Sequence, residues 1–270
     1  MEWSISPEIF SIGPFTVRWY GLLFATSFIV GFQIMLWIFK KENKKEKDLN
    51  DLVWYMVGGT VIGARLGHCL FYNPDYYLSH PIEILKVWEG GLASHGAAVG
   101  ILLAVYFYIQ KRNDQTYLWV MDRVVITVAL AAFFIRLGNF FNSEIIGMPA
   151  DVPWAIKFLN APGLTQAERL MPRHPAQLYE SIFYMITFLV VFFTYKNKDG
   201  KFKDGLIFGI FLIMIFGFRI FVEQYKEVQS NFEAGMALNM GQLLSIPLVI
   251  LGIVLLFWKP KKVIKIETKK

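Results

Sequence analysis

Two arginines lie inside stretches that are otherwise apolar. Arg136 closes a hydrophobic run that begins near Val124 and opens the segment RLGNFFNSEIIG, Arg136 to Gly147; Arg219 sits inside GFRIFVEQYKE, Gly217 to Glu227. Each has a polar companion at helical spacing, Asn139 three residues after Arg136 and Glu223 four residues after Arg219, so each pair shares a helix face. A planar guanidinium that keeps its charge binds phosphate oxygens bidentately. Fixed positive charge of this kind also stabilises a leaving phosphate, where loss of one donor costs about 10² to 10³ in rate. His95 and Tyr20, each at the start of another apolar stretch, are of types that can move a proton. The chain offers no nucleophile of its own. It has no GxSxG turn, its one cysteine, Cys69, reads as a small packed hydrophobe, and its four histidines form no HxxxH pair to hold a metal that would activate water. The nucleophile is expected to come with a second substrate, and neither a metal nor a cofactor is expected.

The elements that must position these groups follow from composition. Of 270 residues, 55% are hydrophobic, 17% aromatic and 18% charged, with a mean hydropathy of +0.44. That is too apolar for a soluble domain and fits an all-α integral membrane protein. A bilayer core takes about 20 apolar residues per helix, and seven spans are predicted near residues 18–39, 52–72, 95–110, 119–138, 177–195, 205–225 and 239–258. An exterior segment, 141–176, separates the fourth and fifth, and PWAIKFLNAPG within it reads as a short strand and turn. The whole chain, 1–270, reads as one membrane-embedded domain. The N-terminus has no basic region or cleavage site and does not read as a removable signal peptide.

Lysine and arginine placement orients the bundle. On one side are Lys40, Lys41, Lys44, Lys45, Lys47, Lys111, Lys196, Lys198, Lys201, Lys203, Lys259, Lys261, Lys262, Lys265, Lys269, Lys270 and Arg112; on the other are only Lys86, Lys157, Arg169, Arg173 and Lys226. The crowded side is cytoplasmic by the positive-inside rule, which places the N-terminus outside and the C-terminus inside. The net charge of +6 is thereby assigned to membrane orientation, and no nucleic acid is expected as a partner. At about 1.5 Å per residue, Arg219 lies roughly 21 Å along the sixth span from its cytoplasmic start and Arg136 roughly 25 Å along the fourth. Tyr20 and His95 open the first and third spans from outside, and Glu223 is one turn beyond Arg219. These groups share one depth, in the outer part of the membrane.

Gln177, Glu180, Ser181 and Tyr184 add a polar stripe on the fifth span, and Gln242 and Ser245 a shorter one on the seventh; both are expected to face an internal polar cavity. Gly58, Gly59, Gly63 and Gly67 in the second span suit close helix approach. Other polar residues read as structural. Arg18 beside Trp19 and Tyr20 is an interfacial anchor, Arg123 beside Asp122 an ion pair or a snorkelling side chain, and His80 and Lys86 the solvated face of a short interfacial helix. Arg65 and His68 suit either a structural or a functional role.

Taken together, VRWYGL, GGLASHGAAVG, RLGNFFNSEIIG, MPRHPAQLYES, GFRIFVEQYKE and MGQLLSIP resemble, in order along nearly the whole chain, the bacterial prolipoprotein diacylglyceryl transferases. The resemblance implies a seven-helix enzyme of the bacterial inner membrane with its site toward the outer leaflet. Such an enzyme moves the diacylglyceryl group of phosphatidylglycerol onto the thiol of a lipobox cysteine in a preprolipoprotein signal peptide, and the missing nucleophile is then the substrate's cysteine. It places the family's essential arginines on Arg136 and Arg219, its HG motif on His95 and Gly96, its tyrosine on Tyr20, and further substrate-binding residues on Asn139, Glu144 and Glu223. Ala97 and Ala98 stand where the family often has Gly-Leu, and Met148 where many members have Arg. A lipid or organic-anion transporter or flippase is the alternative reading; it predicts polar stripes running to the cytoplasmic face and paired halves, and the chain shows no internal repeat. A purely structural membrane scaffold would leave the clustering of polar groups at one depth unexplained.

Overall fold

The structure, a computed structural model, describes residues 1–227 and 237–258. The lysine cluster Lys259, Lys261, Lys262, Lys265, Lys269 and Lys270, and the expectation that the C-terminus is cytoplasmic, lie outside the described residues. The chain is mostly helical and forms two compact units, Met35–Met121 and Met1–Ile34 together with the chain from Asp122 onward. The long helices are α1 (Trp19–Lys41), α2 (Glu46–Phe71), α4 (Ser94–Ile109), α5 (Tyr117–Phe141), α7 (Ala176–Asn197), α8 (Leu206–Val222) and α9 (Met240–Phe257), with two short ones, α3 (Pro74–Ser79) and α6 (Gln166–Arg169). By length and composition five of them can cross a membrane: α1, α5, α7, α8 extended to Tyr225, and α9. The other two expected spans coincide with α2 and α4. The first of these opens on Glu46, Asp48 and Asp51, and the second is 16 residues long, short of the roughly 20 a bilayer core takes.

In the unit Met35–Met121, α2 and α4 pack backbone to backbone. A Cβ on Gly63 would stand 2.4 Å from the carbonyl oxygen of Gly96, and one on Gly100 would stand 2.0 Å from that of Gly59, so only glycine fits along this contact. Gly58 meets nothing within 4 Å and is not part of it. Arg65 is buried and holds the connection between the helices: Nε donates to Ile84 O at 2.9 Å, Nη1 to Gly90 O at 2.7 Å and Nη2 to Glu83 O at 2.5 Å. Gly90 and Gly91 have φ of 88° and 65°, a conformation that favours glycine. Arg65 is thus structural. Cys69 is fully buried, as a packed hydrophobe should be. His80 precedes, and Lys86 separates, two 3₁₀ turns (Pro81–Leu85 and Val87–Glu89) in place of one interfacial helix; Pro81 sets off the first of them from α3.

The other unit begins with strands. β1 (Glu2–Trp3) pairs in parallel with β4 (Lys157–Phe158), and β2 (Glu8–Ile12) forms an antiparallel hairpin with β3 (Phe15–Arg18). Arg18, read from the sequence as an anchor, pairs with Glu8 across this hairpin at 3.0 Å. The strand and turn expected in the exterior segment is β4, which seats Phe158 in a small core with Phe140, Ile146, Ile156 and Ala161, with Trp3 packed against it. Helices α7 and α8 meet through Phe183 and Phe218, stacked at 4.0 Å, and α8 meets α9 at Gly209 and Gly252. Asp122 is fully buried and caps α8, accepting from Gly205 N at 2.7 Å and Phe208 N at 2.8 Å. Arg123 lies 3.9 Å from its carboxylate and over the Phe202 ring, in keeping with an ion pair.

Candidate active site

Helix α5 carries Arg136 and Asn139 in its last two turns and stops in a left-handed turn, with φ of 55° at Ser143 and 54° at Ile145. That turn brings Glu144 back over the helix end. Its backbone N–H donates to Asn139 O at 2.9 Å, and its carboxylate accepts from Asn139 Nδ2 at 3.3 Å and Asn142 Nδ2 at 3.0 Å. Gln177 of α7 clamps the same turn from the other side, donating to Glu144 O at 2.6 Å. Arg136 joins it through a long hydrogen bond from Nη1 to Asn139 Oδ1, 3.5 Å. Tyr20 lies against the helix at Gly138, where a Cβ would stand 2.7 Å from its ring, and within electrostatic reach of Glu144 and Arg136. Sequence reasoning grouped Tyr20, Arg136, Asn139 and Glu144, and the fold brings these four together.

The second arginine is tied to the first by a chain of charges. Glu180, fully buried, stands 3.1 Å from Arg136 Nε through Oε2, an ion pair in which no N–H points squarely at that oxygen. Its Oε1 accepts from Lys226 Nζ at 3.0 Å and from Tyr184 at 3.1 Å. Lys226 Nζ is also 3.0 Å from Glu223 Oε1, which accepts from Arg219 Nε at 3.3 Å. The other oxygen of Glu223 accepts from Asn239 Nδ2 at 3.2 Å, and Asn239 in turn caps α9 through a reciprocal pair with Gln242. Charges alternate along Arg136, Glu180, Lys226, Glu223 and Arg219. Buried charges persist when paired in this way. Among the five, Lys226 is the most enclosed of the cations, with 3% of its side chain exposed against 17% for Arg136 and 37% for Arg219.

The segment 141–176 folds back on itself and joins the turn after α8 by backbone. Gly147 N donates to His174 O at 3.0 Å and Met148 N to Tyr225 O at 2.9 Å, and a Cβ on Gly147 would lie 2.5 Å from the former oxygen. Arg173, also buried, pairs with Glu227 at 3.1 Å. An apolar groove of about 430 Å³ runs between α7 and α8 from Ile186 to this segment, where Trp154 and His174 both contact the Tyr179 hydroxyl, at 2.7 and 3.0 Å.

His95 and Gly96 belong to the other unit. His95 is exposed in the first turn of α4, its ring edge-on to Phe71 at 5.6 Å and tilted against Tyr72 at 5.9 Å. It stands at one end of an apolar groove of about 820 Å³ along α2 and α4. Gly96 is buried in the contact with α2, where a Cβ would stand 2.3 Å from Gly63 O, so its place in the sequence is set by helix packing. Among the described residues no group of three or more His, Cys, Asp or Glu is placed to hold a metal.

Sequence reasoning missed two members of the charge chain. Glu180 appears in it only as part of a polar stripe, and Lys226 only as an exterior charge. The i, i+3 spacing of Glu223 and Lys226 was the available signal for the second, but nothing in the sequence says that Glu180, 43 positions before Glu223, faces the same lysine.

The family described as prolipoprotein diacylglyceryl transferase matches residues 7–258. A phosphatidylglycerol–prolipoprotein diacylglyceryl transferase from Chloroherpeton thalassium is 50% identical over 260 residues, covering 96% of this chain and 94% of the relative. Proteins of the same name from Tolumonas auensis and Bacteroides fragilis are 44% and 43% identical, each covering at least 96% of both chains.

Proposed function

The chain belongs to the prolipoprotein diacylglyceryl transferase family, and from that premise we propose that it transfers the diacylglyceryl group of phosphatidylglycerol to the lipobox cysteine of preprolipoproteins, the first step of lipoprotein maturation. The observation that carries the reading is that Arg136 and Arg219, the two residues chemically suited to a lipid phosphate, are fixed at the two ends of one continuous chain of ion pairs.

In the proposed reaction the phosphate rests on Arg136 and Arg219. A thiol with a free pKa near 8.5 is a few per cent ionised at neutral pH, so a base is needed, and His95 takes the proton. The thiolate attacks the glycerol carbon that bears the phosphate. The carbon–sulfur bond forms as the carbon–oxygen bond breaks, and glycerol phosphate leaves with the electron pair, its second negative charge met by the two guanidinium groups. Glu180 and Glu223 hold those groups in place. Asn139 and Glu144 meet the hydroxyls of the headgroup, and Tyr20, against Gly138, positions the lipid.

The same reading makes the chain a single seven-span protein of the bacterial inner membrane, with α2 and α4 as the two further spans, the N-terminus outside, and the site toward the outer leaflet. Lysine placement supports that orientation. The test of function is direct. Purified protein in detergent is incubated with phosphatidylglycerol and a lipobox peptide, and a mass gain of one diacylglyceryl unit on cysteine is the expected result. A peptide that stays unmodified overturns the proposal.

A further inference from the structure

The proposed reaction uses both arginines and leaves the lysine between their partners without a role. Lys226 is buried, and its Nζ stands 3.0 Å from Glu180 Oε1 and 3.0 Å from Glu223 Oε1, the same oxygen that accepts from Arg219. Each carboxylate thus serves two cations, the lysine and one arginine. Exposure rises outward from the lysine to both arginines, so the lysine is the enclosed centre and the guanidinium groups are the accessible ends. We propose that Lys226 is the positioning residue that sets the charge of the phosphate clamp: it stays out of contact with the lipid and, by neutralising one carboxylate's worth of charge, leaves Arg136 and Arg219 one positive charge in excess. The inference rests on the reading of those two arginines as the phosphate site.

The charge count carries the argument. Three cations and two anions make the chain of direct ion pairs net positive by one; without the lysine it is neutral, and two buried carboxylates compete with an incoming phosphate for the two guanidinium groups. Arg173 is matched by Glu227; Glu144 adds a negative charge outside the chain of direct ion pairs, its carboxylate accepting from the amides of Asn139 and Asn142, and that charge is the same in every variant compared below. Lysine suits the central place because its ammonium offers three donors without a fixed plane, so it can face two carboxylates from different helices.

A purely structural tether between α7 and the end of α8 would use the same contacts, and a charge-restoring pair of substitutions separates the two roles. With phosphatidylglycerol micelles and a lipobox peptide, Lys226→Gln should raise KM for the lipid and lower kcat, each by roughly tenfold, because the phosphate carries one negative charge in the lipid and a second as it leaves. Lys226→Arg should stay within about threefold of the parent on both constants. Lys226→Gln combined with Glu180→Gln restores the excess of one positive charge and should recover at least about threefold of the lost KM effect; a tether predicts that the pair is no better than Lys226→Gln alone. Unchanged constants in Lys226→Gln, or no recovery in the double variant, overturn the inference while leaving the transfer reaction standing. If Lys226→Gln does not accumulate in membranes, Lys226→Arg decides, since a tenfold rise in its KM sinks the charge account. A parent protein that transfers nothing fails the proposed function instead.

Discussion

At the scale of single residues, the site depends on how each charge is held. Arg136 and Arg219 differ in exposure, and each reaches its carboxylate through Nε, the nitrogen nearest the side-chain stem. Arg136→Lys and Arg219→Lys should each lose most transferase activity, about 10²-fold or more, because a point-charge ammonium cannot reproduce a bidentate phosphate contact. Arg18→Lys, which keeps a surface pair with Glu8, should retain it. The same peptide assay checks all three, and near-parent rates in Arg136→Lys would remove the clamp. His95→Gln should insert normally and bind lipid but slow by roughly 10² to 10⁴. Raising the pH should partly restore that variant, since hydroxide then ionises the thiol. Tyr20→Phe should show no such recovery, and recovery in Tyr20→Phe alone would move the base to Tyr20.

At the scale of elements, glycine decides how two helices meet. Gly63→Ala puts a methyl group 2.4 Å from the Gly96 carbonyl oxygen and 2.8 Å from Gly100 Cα, backbone atoms that cannot turn aside, and should cost about 1–3 kcal/mol. Gly58→Ala on the same helix meets open space and should be neutral or gain up to about 1 kcal/mol from helix propensity. Thermal unfolding in detergent distinguishes them, and equal midpoints would rule out the backbone contact. The loop after α4 carries a pH signature. The Lys44 ammonium, 2.7 Å away, holds the Asp114 carboxyl below the usual carboxylate range. A depressed carboxyl stabilises the fold above its unfolded pKa, near 4, and the contribution is lost as pH falls through the folded value. With Asp114 largely exposed the effect is small, within about 1 kcal/mol. Asp114→Asn should therefore lower the unfolding midpoint slightly at pH 7 and by less at pH 3; a larger loss at pH 3 would reverse the sign.

At the scale of the molecule, orientation follows from charge placed in loops. A reporter fused after Lys270 should be cytoplasmic, and one inserted near Gly163, in the turn between β4 and α6 where φ is 77° and a Cβ would meet open space, should be exterior. A cytoplasmic signal from the Gly163 site would overturn both the topology and the assignment of the arginines to the outer leaflet.

The sequence by itself determined the helical membrane class, the family, and the local groups Arg136–Asn139 and Arg219–Glu223, because apolar run length and helical spacing are properties of consecutive residues. It also foretold the glycine contact of α2, since small residues in an apolar helix have few other uses. It did not reveal the N-terminal hairpin or the pairing of β1 with β4, which joins Glu2 to Lys157, 155 residues further along the chain. Nor did it reveal that Glu180 and Lys226 are the link between the two arginines. Those facts were decided by tertiary structure alone: a carboxylate on α7 and an ammonium beyond α8 become partners only when helix packing turns both inward, where an unpaired charge would be too costly to leave buried.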